Sequence, residues 1–544
     1  MSRWAVRGAK LLLWLFPLLV CLQAAPVATR AQVAVEPDAV RQILQQGDEL
    51  EQQRRWHDAL LHYEQAIREW PDAVSLRARV DRARVHWDVQ RRCRDLSFGQ
   101  LAQADTRQAL SLLNEVLWKI ETYYVDPPRW AELFEHGWRT WETACQEPEF
   151  WQLYRQAAPA ALGPTNAQLR QQIARFRLAD RRDLYNAAAF CAQQIEQQRL
   201  APATAVLLEI TCGVVTALDE YTAFLTPGQL DELLSQIEGQ FVGLGVEIKP
   251  EPGSLLIVSV LPGGPAAEAG LAPGERIVSV NGQLLEEITA ERGADLLRGP
   301  DGSQVKIRVR RQDGHEQDLV LVRRRIDVPS VERIAMLDPQ EGVGYFRLTS
   351  FQKTTPRDVD AALWQLHRQG MRSLIIDLRG NPGGLLSAAV EVADRFLSQG
   401  PIVATRGRNS GEDYDYRAHA VGTWSVPLVV LIDRDSASAS EIFAAAIRDQ
   451  RRGTLVGQPS FGKGSVQGIF PLQTLRAGLR LTTARYYAPS GQPIGHQGIG
   501  PDVPVHVAAR PTGSPAPLLV ESDAALRAAL QTAREAARRL LAGR

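Results

Sequence analysis

Cysteine is scarce in this chain: five in 544 residues, with no Cys-x-x-Cys pair among them. So few cysteines exclude a disulfide-dense scaffold, and their spacing offers structural zinc no ligand set. Surplus charge is absent too, because 62 Lys and Arg are balanced by 62 Asp and Glu and the isoelectric point lies near 7.1. That balance removes any electrostatic reason to expect nucleic acid or an anionic membrane surface as the main partner. The apolar stretch Leu11–Leu22 is short of the ~20 residues that a bilayer span needs. What is present is ordinary for globular protein, at 45% hydrophobic and 23% charged residues with 42 Gly and 32 Pro, and long enough for several domains.

Arg3, Arg7 and Lys10 precede the apolar stretch and Ala24, Ala25 and Ala28 follow it, the pattern of an export signal cleaved between Ala24 and Ala31. Residues 1–31 are therefore read as a signal peptide, which points to the bacterial periplasm or another extracytoplasmic face. A retained membrane anchor running to Val27 is the alternative. Cys21 follows the bulky Val20, which speaks against a lipid-modified terminus. The remaining cysteines, Cys93, Cys145, Cys191 and Cys212, fall in one helical stretch. An oxidising compartment permits three pairings among them, and four free buried thiols are the other reading.

Between Ala39 and Ala73, Gly47, Leu50, Ala59, Tyr63, Ala66 and Pro71 recur at helical spacing. Small Ala59 and Ala66 let two helices approach, Tyr63 fills the space between them, and Pro71 stops the second. The pattern resembles a single tetratricopeptide repeat, assigned to residues 35–90. One repeat buries no continuous core by itself, so an ordinary helical hairpin remains the alternative. Residues 91–235 are rich in Gln, Arg, Ala and Leu and read as helical throughout.

At Gly239 the pattern changes to β-branched strands punctuated by glycine. Gly243-Leu244-Gly245-Val246, then Ala269-Gly270-Leu271, Gly274, Ile277 and Val280-Asn281-Gly282, occur together in order. Residues 239–325 thereby resemble a PDZ domain. In such a loop, successive backbone N–H groups of Gly243, Leu244, Gly245 and Val246 converge on a chain-terminal carboxylate while the bound peptide adds as a strand to the sheet edge.

Further on, the apolar run Leu374–Leu378 leads into Asp377-Leu-Arg-Gly-Asn-Pro-Gly-Gly384, and the run Val426–Ile432 leads into Asp433-Arg-Asp-Ser436-Ala-Ser438-Ala-Ser440-Glu441 and a helix. Three serines thus sit at a strand-to-helix junction, where a helix N-terminus and loop amides stabilise developing negative charge. A serine nucleophile needs a base, yet no histidine lies between His419 and His496. Lys463, in Ser460-Phe-Gly-Lys463-Gly-Ser-Val-Gln467, is the other solution. Its ordinary pKa of ~10.4 falls by ~3 units on burial, at a cost of roughly 4 kcal/mol.

Ser-Ala-Ser-Ala-Ser-Glu followed by Phe-Gly-Lys-Gly-x-Val-Gln resembles the carboxyl-terminal processing peptidases, or tail-specific proteases. Their serine precedes their lysine by 25 positions, which on Lys463 selects Ser438 over Ser436 and Ser440. The resemblance further implies that Gln467 orients the amine and that the amides of Ala439 and Gly383 form the oxyanion hole. It implies that Asp449 supports the fold around the site. Gly344–Phe351, Gly498–Val503, Tyr124–Pro127 and Leu218–Pro227 match other family elements. The last two lie 91 positions apart (Pro127 to Leu218), farther than is usual there.

The expected architecture is mixed α/β: the helical N-terminal region, the PDZ domain, a crotonase-like serine protease core at 326–510 and a C-terminal tail helix within 511–544. The expected activity is that of a serine endopeptidase acting on protein or peptide substrates with accessible C-termini. No metal, organic cofactor or nucleic acid is called for, and the helical regions are candidates for an adaptor or a second copy of the chain. The rivals are a catalytically silent scaffold of PDZ domain and helices, and a hydrolase of small esters or peptides on the same core.

Overall fold

The computed structural model describes residues 38–286, 290–495, 497–505 and 520–542. The signal-peptide reading of residues 1–31, Cys21 and the loop at 511–517 lie outside them. The chain divides into two units at Trp87/Asp88.

In the first unit, helices Asp38–Gln52 and Trp56–Glu69 pack as a hairpin followed by a third helix starting at Val74. Ala59 and Tyr63 are fully buried, and Tyr63 donates its hydroxyl to Glu51 at 2.9 Å. Arg79 pairs with the same carboxylate at 3.1 Å, so the small-residue seam is closed by an ion pair at its base.

The second unit opens with a helical layer whose largest members are Thr106–Tyr123, Trp130–Ala144, Arg181–Gln197 and Ala203–Thr216. Ala203–Val215 is buried along every residue, which is why that stretch is apolar all round rather than amphipathic. Glu209 on this helix is fully buried and bound to Arg92 at 2.5 Å. Cys93, Cys145, Cys191 and Cys212 are all free thiols, and burial pushes Cys191 and Cys212 up to about 12. The region is not helical throughout: Ala223–Leu225 is a strand that pairs antiparallel with Gly478–Tyr487. Its partner lies some 250 positions away in sequence, so local periodicity carries no trace of it.

The PDZ fold is a sheet with Val246–Glu251 at one edge, then Ser254–Val260, Arg276–Val280, Gln304–Arg310 and Glu316–Val322. The chain enters and leaves it through paired strands, Gln240–Gly243 against Arg324–Asp327.

The last part is built on a six-stranded sheet. Val331–Asp338 lies antiparallel to Val343–Leu348, and Ser373–Asp377, Leu428–Ile432, Gly453–Gly457 and Val503–Pro504 continue in parallel. Ser373–Asp377 and Leu428–Ile432 are buried at every position, as strands covered on both faces must be. Helices Thr355–Arg368, Leu386–Asp394 and Ala439–Asp449 share a core on one face. The C-terminal helix Ala524–Ala542 covers the other, with Ala525, Leu526, Ala529 and Ala533 against Tyr345, Ile375 and Leu431. A second sheet joins Ser465–Pro471, Gly478–Tyr487, Pro401–Gly407 and Tyr414–Arg417 to the strand from the helical layer. No helix among the described residues is long and apolar enough to cross a membrane.

Candidate active site

The loops that follow the adjacent parallel strands Ser373–Asp377 and Leu428–Ile432 meet at the carboxyl ends of those strands, where open α/β sheets hold their ligands. The three serines of the second loop are not equivalent. Ser436 donates its hydroxyl to the carbonyl of Leu378 at 2.9 Å, and Ser440 donates to the carbonyl of Asn381 at 3.0 Å; both are fully buried. Their hydroxyls are committed to holding the two loops together. Ser438 is 7% exposed and sits at the helix start with φ 55° and ψ −111°. A non-glycine residue there is strained, and such strain persists only where the surroundings over-determine it.

Glu441 supplies that determination. Its carboxylate is fully buried and accepts four hydrogen bonds. Oε2 takes the N–H groups of Ser438 and Lys463, each at 2.8 Å. Oε1 takes the N–H of Gly462 at 2.7 Å and the hydroxyl of Ser460 at 2.6 Å. One side chain therefore ties the serine turn to the lysine loop. The sequence reading passed over it, although Ser438-Ala-Ser-Glu441 has the Ser-x-x-Glu spacing of a helix capping box.

Lys463 follows the strand Gly453–Gly457 and precedes Ser465–Pro471. Burial, with Arg480 adding repulsion, brings its amine down from 10.5 to about 8. Its Nζ lies 4.8 Å from the centroid of the Tyr221 ring. Among the described residues it makes no hydrogen bond to Ser438 or to Gln467. The amide of Gln467, expected beside the amine, donates instead to Ser465 Oγ at 2.8 Å and faces Thr482 Oγ1 at 3.5 Å. Tyr486 is buried near Ser438, and burial raises its phenol well above the usual range, an effect that the Ser438 side chain opposes.

The glycine loop lies against the serine turn. A Cβ on Gly383, whose φ is +104°, would stand 2.9 Å from the backbone N of Ala439 and 2.7 Å from the carbonyl of Ala437. The N–H of Gly383 is donated to Asn381 Oδ1 at 2.9 Å, so it is not the open donor that the sequence suggests. The N–H groups of Gly384 and Ala439 have no hydrogen-bond partner among the described residues. Asn381, fully buried, also donates to the carbonyl of Leu348 and accepts the N–H of Ala437, fixing the spacing of all three segments. Asp449 closes the far end of the serine helix, where Oδ2 accepts the N–H of Ser490 at 3.2 Å.

In the PDZ fold, the carbonyls of Leu244 and Gly245 accept from Ala266 and Leu261, each at 2.8 Å, and Leu244 packs into the domain core. The N–H groups of Leu244 and Gly245 have no partner among the described residues. They stand at the start of the edge strand Val246–Glu251.

Residues 342–505 match the model of peptidase family S41, and residues 256–311 match a PDZ domain. A carboxy-terminal-processing protease of Bartonella bacilliformis is 38% identical over 299 residues, which are 54% of this chain and 68% of that protein. A carboxyl-terminal-processing protease of Synechocystis is 37% identical over 325 residues, 58% of this chain and 74% of that protein. The chain belongs to peptidase family S41, among the carboxyl-terminal processing proteases. This serine-type peptidase is also similar to the solved photosystem II D1 C-terminal processing protease, at 27% identity and a TM-score of 0.37 over 73% of this chain and 93% of that one. The stretch matched by the S41 family model, residues 342–505, contains both loops, Glu441 and Lys463 and lies outside the N-terminal hairpin and the helical layer.

Proposed function

We propose that this protease captures the C-terminus of a protein substrate on its PDZ domain and cleaves the chain upstream with a Ser438/Lys463 dyad. The observation that carries this reading is the junction at Glu441: one carboxylate holds the amides of a strained serine and a lysine whose amine titrates near 8. Ser438 attacks the scissile carbonyl and passes its proton to neutral Lys463, which returns it to the leaving amine. The acyl-enzyme is then hydrolysed by water with Lys463 again the base. Ala439 N–H and an amide of the Gly383-Gly384 turn stabilise the oxyanion, and the free N–H of Gly384 favours that residue. Gln467 orients the amine once the amine has turned toward Ser438.

On the PDZ domain, the free amides of Leu244 and Gly245 take the terminal carboxylate while the substrate tail extends the open edge of Val246–Glu251. Tail binding then moves this domain and brings the dyad into line. The separated amine and hydroxyl of this structure support that order of events. Export follows from the N-terminal pattern, and the hairpin at 35–90 is the tetratricopeptide-like surface for an adaptor or a second copy.

The test is cleavage of an unfolded reporter with an apolar C-terminus by the mature chain, Ser438→Ala and Lys463→Ala. Loss in both variants supports the dyad; retained cleavage in either rejects it. Deletion of 239–325 addresses the tail: equal cleavage of tailed and untailed reporters would exclude PDZ-driven activation.

A further inference from the structure

The lysine amine is parked, and its parking place is built. The backbone of Lys463 is fixed by its N–H bond to Glu441 and by Gly464, where a Cβ would lie 1.6 Å from the carbonyl of Ile494. With the main chain held on both sides, the amine moves only by side-chain rotation. At one end of that rotation stands Tyr221, whose N–H is held by Asp219 at 2.8 Å and whose carbonyl accepts Arg480 Nε at 2.9 Å. Ala223–Leu225, two residues on, is zipped to the strand that carries Arg480. The ring is therefore part of the frame. The charged groups facing the amine are Arg480 from the long strand, which disfavours its proton, and Asp219, Glu220 and Glu441, which favour it.

An aromatic face attracts an ammonium through its quadrupole and offers a neutral amine little. We propose that Tyr221 is a positioning residue of this peptidase: its ring is the resting seat of protonated Lys463, so that losing the proton and turning toward Ser438 are coupled. The inference rests on the dyad reading above. It assigns the tyrosine of the Leu218–Pro227 stretch a part in the reaction through the base rather than through the substrate. Because the seat favours the charged form, it holds the lysine's titration higher than burial alone would leave it.

The test is the pH profile of kcat/KM for the reporter in Tyr221→Leu, Tyr221→Phe and Tyr221→Trp. Losing a desolvated cation–ring contact lowers the preference for the ammonium about tenfold, so the acidic limb in Tyr221→Leu moves down by about one pH unit. Tyr221→Phe keeps the ring and leaves the limb in place; Tyr221→Trp moves it up. A structural role alone lowers kcat without moving the limb. The same titration is read without turnover from the lysine 13Cε resonances in a Ser438→Ala background, a simple spectrum because the sequence holds six lysines. If Lys463→Ala keeps activity, the dyad reading falls while the 13Cε titration still decides on the ring. An unmoved Lys463 midpoint in Tyr221→Leu, or a shift in Tyr221→Phe equal to that in Tyr221→Leu, overturns the proposal. Should Tyr221→Leu fail to fold, absence of an upward shift in Tyr221→Trp does the same.

Discussion

Glu441→Gln changes one oxygen to an amide nitrogen, and the surroundings leave it no good orientation. Facing Oε2, the new NH2 meets the N–H groups of Ser438 and Lys463; facing Oε1, it meets the N–H of Gly462 and the hydroxyl of Ser460. The second is the lesser evil, since a hydroxyl can turn, but Ser460 Oγ already accepts the N–H of Ile499 at 2.6 Å. One buried N–H is then orphaned, at about 1–3 kcal/mol, and the two surviving bonds lose their charge assistance at roughly 0.5–2 kcal/mol each. About 4 kcal/mol is the central expectation, against a total stability of ~5–15 kcal/mol for a domain. Holding Ser438 at positive φ costs ~1–3 kcal/mol, so a weakened clamp lets the turn relax and kcat falls about 100-fold with KM little changed. Urea denaturation and reporter cleavage read the two effects. A variant within ~0.5 kcal/mol of the parent and within about twofold of its kcat would refute the argument.

The three serines separate: Ser436→Ala and Ser440→Ala each lose a loop-bridging bond worth about 1 kcal/mol and keep measurable cleavage, whereas Ser438→Ala has none. For pH, the neutral amine is the active form and Lys463 titrates near 8, so kcat/KM rises through that region and falls tenfold for each unit below it; a limb near 6.5 would implicate an ordinary histidine instead. In the helical layer, Glu209→Gln strands the buried Arg92 guanidinium without its counter-ion and destabilises the fold by about 3–5 kcal/mol, seen as a lowered thermal midpoint. An unchanged midpoint would mean that the pair is hydrated.

Ser438 and Lys463 could be paired as candidates because a serine and a lysine at that spacing are a distinctive combination, and one helix, one strand and two short loops separate them. The strands Ser373–Asp377 and Leu428–Ile432 were readable because full burial turns them into uninterrupted apolar runs. The supports of the site were not. Asn381 and Glu441 act by satisfying backbone N–H groups that only folding brings near them, and the sequence around each is equally that of a turn or a helix cap. Ala223–Leu225 was hidden for the same reason, being a strand only by virtue of a distant partner. Gly383 shows the limit of resolution: the glycine pair was located, but which of the two amides is open depends on the Asn381 side chain.

The site is anchored on two sides. The serine turn and the lysine loop are joined through Glu441, inside the core. The glycine loop is bonded to the serine loop through Ser436, Ser440 and Ala437, and it has a second attachment, because Gly383 and Leu385 are bonded to Phe351 at 2.8 and 2.7 Å. Two residues beyond Phe351, the N–H of Lys353 bonds the carbonyl of Ile237, just before the chain enters the PDZ fold. Lys353 Nζ pairs with Glu238, and Val328, where the chain leaves that fold, bonds Gly239 at 2.9 Å. Thr355 donates to Ser330 on the same exit segment at 2.8 Å. A displacement of the PDZ fold therefore loads residues 351–355 and, through them, the Gly383-Gly384 turn, whereas Ser438 and Ala439 are held by their own helix and by Glu441. Under the proposed tail-driven activation, substrate capture on the PDZ edge acts first on the glycine-loop amide assigned to the transition state and only second on the nucleophile.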